Sequence, residues 1–491
     1  MIMTISEITE KLRQLEVRSS LLEPNQPERD KWSAPVFQYA DDFLTSVHEK
    51  KTYVVPEDVE TLSDFKIEEE GKSVGEVIGI LQKEVDTPGI NPASGGHLGY
   101  IPGGGIYTTA LGDYLASVFN RYSGIFFANP GAVRMENMLI RWMNRLIGYP
   151  DSAFGNLTSG GSVANLIAIV SARDAMDIKA NKVATSCVYL TGQIHHSILK
   201  ALRIAGLAEI QVRLIPMNNL FQMDVKALRQ QVDDDLAEGL SPFMVVASAG
   251  TTDTGSIDDL QNIGEFAIAH HLWFHVDAAY GGFFMLVKSE HDKFRGIELS
   301  DSVSIDPHKG LFLAYGSGAV LIKNKEQMLR SHVYRANYMQ DAYFTEQEPS
   351  PADLSPELTK HFRGMRMWLS LQLHGLKPFR ACLEEKLWLC RYFYHKVAAL
   401  GFEVGPEPDL SVCIYRYTTN ENDDNQLNAW LVEKIQEDGR VFISSTTIEG
   451  VFWLRLAVLS FRTHRKHVDI LLEILQREVG NLISSRKEKS Y

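Results

Sequence analysis

The chain has 491 residues, with 49 Lys and Arg against 62 Asp and Glu, and a formal net charge of −13. Hydrophobic residues at 45% and charged residues at 23% are the balance of a folded protein with sizeable cores, which excludes global disorder. The acidic balance lacks the basic stripe that a nucleic-acid or anionic-membrane partner needs, and Cys187, Cys382, Cys390 and Cys413 show no zinc-ligand or disulfide-scaffold spacing.

Residues 1–22 form a weak helical pattern without the basic, apolar and cleavage segments of a signal peptide. Apolar stretches such as Phe243–Ala249 fall far short of the roughly 20 residues of a membrane span. A cytoplasmic location is expected. Up to about Val85 the chain reads as helices broken at Pro24, Pro27, Pro35 and Pro56, with Leu12, Leu15, Val74, Val77, Ile78 and Leu81 at helical spacing. A Gly- and Pro-dense loop, residues 88–105, suggests backbone that must approach something closely.

From Arg134 to Arg330 helical stretches alternate with apolar runs. The helices are expected at Met135–Leu146, Ser162–Lys179, Ile198–Ala205, Val225–Glu238 and Leu260–His271. The runs are Val188–Leu190, Gln211–Ile215, Phe243–Ser248, Trp273–Val276, Ser302–Ile305 and Ala319–Ile322. Continuous apolar runs suit strands buried on both faces, so a doubly wound α/β domain with a mostly parallel sheet is expected. Its ligand belongs at the carboxyl ends of the strands. After the loop Asp341–Ser355, a helical region Pro356–Leu400 leads to strands Ser411–Tyr417, Val441–Thr446 and Phe452–Ala457 and helices Asn425–Glu437 and His464–Val479. The expected organisation is a helical segment over 1–90, a large α/β domain over 91–355 and a small α+β domain over 356–491.

Four short motifs carry chemistry. Thr158-Ser159-Gly160-Gly161-Ser162, read as following a turn and opening a helix, lets backbone N–H groups reach a phosphate, with Ser162 as N-cap. Taken alone it fits an ordinary capped helix better. Gly192-Gln-Ile-His195-His196-Ser197 follows a strand, where a His stacks on a flat ligand or carries a proton; alone, two polar helix-start residues explain it. Asp277 ends the run Trp273–Val276 and precedes Ala278-Ala279. A carboxylate there is costly to bury without a cation, either a protonated pyridine nitrogen or a side chain. In Asp306-Pro-His308-Lys309-Gly310, Lys309 is an amine nucleophile at a strand end, or a solvated lysine if read alone.

In this order the four motifs resemble the fold-type I pyridoxal-phosphate enzymes, specifically the group II amino-acid decarboxylases, over roughly Asn91 to Leu472. The resemblance implies pyridoxal 5'-phosphate as cofactor, a seven-stranded, mostly parallel sheet, and a homodimer wrapped by the N-terminal segment. It implies that Lys309 holds the cofactor's aldehyde and Asp277 pairs with its ring nitrogen. His195 would stack on the ring, with Ala279 beneath it and Gly160, Gly161, Ser162, Asp306 and His308 around the phosphate. Gly250-Thr251-Thr252, Gly255 and Asp258 match a segment near the cofactor; Asn129-Pro130 and Glu136 match a further family pattern. Tyr100-Ile101-Pro102 matches a substrate loop, and Tyr334, Tyr338 and Tyr343 are the tyrosines from which the family's proton donor is chosen, Tyr343 first. Ile101 in place of the common Phe, Gly103-Gly104-Gly105, and Gly310 in place of Trp imply a less aromatic pocket wall. The implied activity is decarboxylation of an L-amino acid, aromatic first, with no metal. Carbon–carbon lysis, transamination through Arg363 or Arg455, oxidative deamination and a non-catalytic scaffold are the rivals.

Overall fold

The apolar runs assemble into one sheet, since strands apolar on both faces are stable only between covering layers. The computed structural model describes residues 3–55, 67–333, 348–419 and 423–489. Its main sheet holds β1 (Phe154–Thr158), β2 (Ser186–Leu190), β3 (Gln211–Leu214), β4 (Ser241–Ser248), β5 (Trp273–Asp277), β6 (Ser302–Ile305) and β7 (Gly318–Ile322). The spatial order is β1-β7-β6-β5-β4-β2-β3. Strands β2 to β6 run parallel, and β7 runs antiparallel to both β1 and β6. Every residue of β2, β5, β6 and β7 is buried, so both faces are covered.

Three local expectations are corrected. The segment before Thr158 is strand β1, not a turn; Gly155 and Asn156 interrupt its apolar pattern, and burial is completed by distant partners such as Pro351, whose carbonyl accepts from Asn156 at 3.2 Å. β3 is not buried on both faces: as the edge strand it leaves Val212 39% and Leu214 65% exposed. The helical region after Pro356 is two helices, Arg363–His374 and Lys377–Ala399, parted at Gly375, where φ is +64° and glycine lacks the Cβ that opposes this conformation.

A second sheet runs Glu403–Val404, Val412–Arg416, Val451–Ala457, Phe442–Ile448 and His97–Leu98 in spatial order. Its last strand comes from the Gly-rich loop and lies parallel to Phe442–Ile448. Leu98, Phe393, Tyr415, Leu454 and Leu475 form its core. By internal packing the chain divides into two units, Met1–Asn91 and Pro92–Tyr491. The first carries helices Ile5–Ser19, Gln26–Ser46 and Val74–Ile80, in none of which a residue is buried.

Behind β1, Lys360 Nζ donates to Glu136 at 2.8 Å and to Asn156 Oδ1 at 3.2 Å, and Gly364 N–H donates to the other Glu136 oxygen at 3.1 Å. Both side chains are buried. Removing one charge strands the other, so Lys360→Met is expected to lose about 3–5 kcal/mol, and adding Glu136→Leu to recover most of that loss. Urea unfolding midpoints of the single and double variants check this.

Candidate functional site

Parallel register sets the site. Ser248 pairs with Asp277, and Asp277 with Ser304, so the carboxyl ends of β4, β5 and β6 finish side by side. A cavity of about 320 Å³ opens there. It is lined after β1 by Gly160, Gly161 and Ser162, after β2 by Gln193 and His195, and after β4 by Thr251 and Thr252. The end of β5 adds Asp277 and Ala279, and the turn after β6 adds Asp306, His308 and Lys309. All the residues proposed for cofactor binding therefore meet in one cavity, at the place where open α/β sheets bind ligands.

Asp277 is 8% exposed. Its Oδ1 accepts from Ala279 N–H at 3.1 Å and Ser304 Oγ–H at 3.0 Å, and its Oδ2 from the Asn165 amide at 3.0 Å. Burial pushes this carboxyl up, but His275, Lys309 and the Ala279 and Asn165 donors together hold it below the ordinary range. Every hydrogen-bond donor to it is neutral, and among the described residues it forms no ion pair. It is a buried anion placed to receive a cation.

His195 Nδ1 accepts from Ser197 N–H at 3.3 Å and lies 2.7 Å from Ser197 Oγ. With Nδ1 accepting, the ring proton of the neutral form sits on Nε2. Burial lowers the His195 pKa, which favours that neutral form. Asn165, on the helix Gly161–Ala175, joins this group to Asp277. It was not anticipated from the sequence, where it reads only as a polar position within an apolar helix.

Lys309 sits in the single turn Pro307–Gly310, its Nζ 3.3 Å from Asp306 Oδ2. His308 donates from Nδ1 to the Ser317 carbonyl at 2.5 Å, leaving Nε2 3.7 Å from Asp306. Burial lowers the His308 pKa. Asp306 is thus placed as the counter-charge of Lys309.

The helix after β1 begins at Gly161 with Gly160 as cap residue, so Ser162 is not the N-cap; its side chain makes no capping bond and is exposed toward the cavity. The first N–H groups of a helix have no partner a turn earlier and carry positive potential, which suits an anion. Close packing surrounds this helix start: a Cβ on Gly318 would lie 2.5 Å from Gly160 Cα, and one on Gly161 would lie 3.1 Å from the Asp306 side-chain Oδ2.

Several expected residues lie elsewhere. Tyr100, Ile101 and Pro102 do not line this cavity; Tyr100 is 56% exposed, and its ring lies 5.7 Å from that of Phe442. Arg455 is buried, pulled down to about 10 by burial, and donates to the Tyr100 carbonyl at 2.9 Å and to Ser444 at 2.8 Å. Arg363 forks onto Glu357 at 2.8 and 3.0 Å. Both arginines are thus engaged within the fold. Glu136 belongs to the buried pair with Lys360, and Asp258 clamps Met223 N–H at 2.6 Å and Ser248 N–H at 2.7 Å. Pro56, Tyr334, Tyr338 and Tyr343 lie outside the described residues.

Burial holds three of the described histidines, His97, His275 and His332, down to about 4. The unfolded chain protonates them as pH falls through about 6.5 and the folded chain only near 4, so stability is lost across that window. The expected loss by pH 5 is on the order of 2 kcal/mol per histidine. Asp258, pushed up to about 6 by burial, has the opposite sign and loses its contribution as pH rises from about 4 to 6. The melting temperature of the apoprotein is expected to fall from pH 7 to pH 5, and His275→Gln to flatten that fall.

These residues fit pyridoxal 5'-phosphate. The neutral-donor cradle of Asp277 suits a protonated ring nitrogen, the helix start suits a phosphate, and Lys309 supplies an amine. Two cavity-lining groups, Gln193 Nε2 and Asp306 Oδ1, are buried without a hydrogen-bond partner, as expected where a polar ligand completes the site.

Comparison with known proteins agrees. The model of the pyridoxal-dependent decarboxylase conserved domain matches residues 56–418. The chain is 31% identical over 405 residues to an aromatic-L-amino-acid decarboxylase of Bacillus atrophaeus, covering 81% of this chain and 84% of that protein. It is 26% identical to a phenylacetaldehyde synthase of Petunia hybrida, over 79% of this chain and 81% of that one. The crystal structure of Catharanthus roseus tryptophan decarboxylase in complex with L-tryptophan superposes with a TM-score of 0.86 at 22% identity, covering 94% of this chain and 99% of that one, which shows a shared fold. With the family model spanning well over half of its length, the chain belongs to the pyridoxal-dependent decarboxylase family and is an α/β enzyme with pyridoxal 5'-phosphate as its cofactor.

Proposed function

We propose that this enzyme converts an L-amino acid, aromatic by preference, to the corresponding amine and CO2. The observation that carries the reading is Asp277, a buried carboxylate on neutral donors sharing one cavity with Lys309. When bound, the cofactor supplies an electron sink that takes up the electron pair released as the substrate's Cα–carboxylate bond breaks. Asp277 holds a proton on the ring nitrogen and so keeps that sink positive. Lys309 Nζ would hold the cofactor at its aldehyde group, with Asp306 beside it as counter-charge. His195, with its proton on Nε2, and Ala279 would hold the cofactor's ring in this cavity. Gly160, Gly161, Ser162 and His308 bind the phosphate, and Thr252 contributes to the cofactor wall. Tyr100, Ile101 and Pro102 are assigned to the substrate side and Tyr343 to protonation of Cα.

An aromatic preference is supported by the likeness to the Bacillus atrophaeus aromatic-L-amino-acid decarboxylase. The likeness to a phenylacetaldehyde synthase favours a second reading, oxidative deamination, in which dioxygen is the oxidant and the products are an aldehyde, CO2, ammonia and hydrogen peroxide. Incubation of the holoprotein with the twenty amino acids and dihydroxyphenylalanine, with CO2, amine and aldehyde quantified, tests both. Amine equal to CO2 is expected; aldehyde equal to CO2 supports the second reading, and no CO2 from any substrate overturns both. Tyr343→Phe is expected to raise the aldehyde share.

The same reading includes a cytoplasmic homodimer in which residues 1–90 wrap the partner subunit, with the cofactor in the 91–355 region and 356–491 as the small domain. Exposed apolar side chains on the first unit, among them Ile5, Leu12 and Leu15, support it. Among the described residues no helix is long and apolar enough to cross a membrane. Light scattering of the purified chain should give twice the chain mass.

A further inference from the structure

A directional chain of hydrogen bonds runs behind the cavity. Trp273 Nε1–H, which can only donate, gives its proton to Ser302 Oγ at 2.8 Å, and Ser302 Oγ lies 2.9 Å from His275 Nδ1. His275 Nε2 lies 3.1 Å from Asn165 Oδ1. The Asn165 amide nitrogen then donates twice, to Asp277 Oδ2 at 3.0 Å and to Ser197 Oγ at 3.0 Å, and Ser197 Oγ lies 2.7 Å from His195 Nδ1. Asn165, Ser197 and His275 are 1%, 2% and 0% exposed, so water does not substitute for these bonds.

With His275 neutral, one arrangement of protons satisfies these side-chain links. Turning the Asn165 amide over would set its carbonyl against the Asp277 carboxylate, so the nitrogen must face Asp277 and Oδ1 must accept from His275. With Nε2 of a neutral His275 donating, Nδ1 accepts from Ser302, whose hydroxyl hydrogen is free because Trp273 fills its acceptor side. Ser197, accepting from Asn165, has its own hydrogen left for His195 Nδ1. Burial keeps His275 neutral near pH 7, its pKa being held down to about 4.

We infer that Asn165 is a positioning residue, through which one amide fixes both the carboxylate that pairs with the cofactor's ring nitrogen and the orientation of the stacking His195. This rests on the functional reading above. Its separation of 112 residues from Asp277 and 32 from Ser197 leaves no local trace in the sequence.

The test uses the full-length holoprotein and the variants Asn165→Asp, Asn165→Ala and Ser197→Ala, with circular dichroism to verify folding. Cofactor dissociation is measured by equilibrium dialysis, with the visible absorption maximum and kcat read in parallel. Asn165→Asp is nearly isosteric but turns an acceptor toward Asp277; it should weaken cofactor retention about 10- to 100-fold and shift the visible maximum, as loss of a hydrogen bond to a charged group implies. Asn165→Ala introduces no charge and should do the same, which decides the matter if Asn165→Asp does not fold. Ser197→Ala should keep cofactor retention within about twofold while lowering kcat, because only the His195 arm is cut. Wild-type retention and maximum in a folded Asn165 variant, or a Ser197→Ala protein that loses the cofactor as Asn165→Ala does, would overturn the inference. A wild-type chain that binds no cofactor would instead overturn the functional reading on which it rests.

Discussion

Lys309→Ala is expected to reduce amine formation by at least about 10³-fold and to abolish the visible absorption of the bound cofactor. The same change reaches stability. Asp306 is buried with one oxygen lacking a partner, and Lys309 Nζ at 3.3 Å is its nearest cation. Without Lys309 the carboxylate stays buried and poorly compensated, so the apoprotein should lose about 1–3 kcal/mol. Adding Asp306→Asn should restore much of that stability and none of the activity. Thermal melts of the apoproteins alongside amine assays separate the chemical role of Lys309 from its structural one. Full activity in the folded double variant would be incompatible with Lys309 as the cofactor-binding amine.

Asp277→Asn should cost about 10²- to 10³-fold in kcat even at saturating cofactor. A neutral amide cannot hold a proton on the ring nitrogen. It also disturbs the cradle, because both carboxylate oxygens accept hydrogen bonds: Oδ1 from Ala279 N–H and Ser304, Oδ2 from Asn165. Whichever way the new amide turns, its NH2 group meets a donor. Steady-state kinetics with cofactor titrated to saturation distinguish a fall in kcat, which is expected, from weakened cofactor binding alone.

The centre of the fold was legible in the sequence because its strands are apolar on both faces. Runs such as Phe243–Ser248 and Trp273–Val276 leave few alternatives to a covered sheet, and β4 to β6 follow them closely. β1 was missed since Gly155 and Asn156 break its pattern, and its burial comes from residues two hundred positions away. Ser162 was misread as an N-cap because Gly160, with no side chain to offer, occupies that place.

The site was legible where chemistry is carried by contiguous motifs. Lys309, Asp277 and His195 stand at strand ends, and strand register brings them together. What the sequence hid are the supports. Asn165 looks like any polar residue in a helix until the fold sets its amide between Asp277 and Ser197. Lys360 looks like a surface lysine until it is buried on Glu136. The Tyr100–Pro102 loop reads as cavity lining, yet the backbone carbonyl of Tyr100 is tied to Arg455 and its ring lies near Phe442.

The most direct test is borohydride reduction of the holoprotein followed by peptide mass mapping. The reduced cofactor should be found on the peptide carrying Lys309, with loss of the visible band and of amine formation in the same sample. Attachment to any other lysine, or an unmodified Lys309 peptide from protein that still releases CO2 from an amino acid, would contradict the assignment of this cavity as the active site.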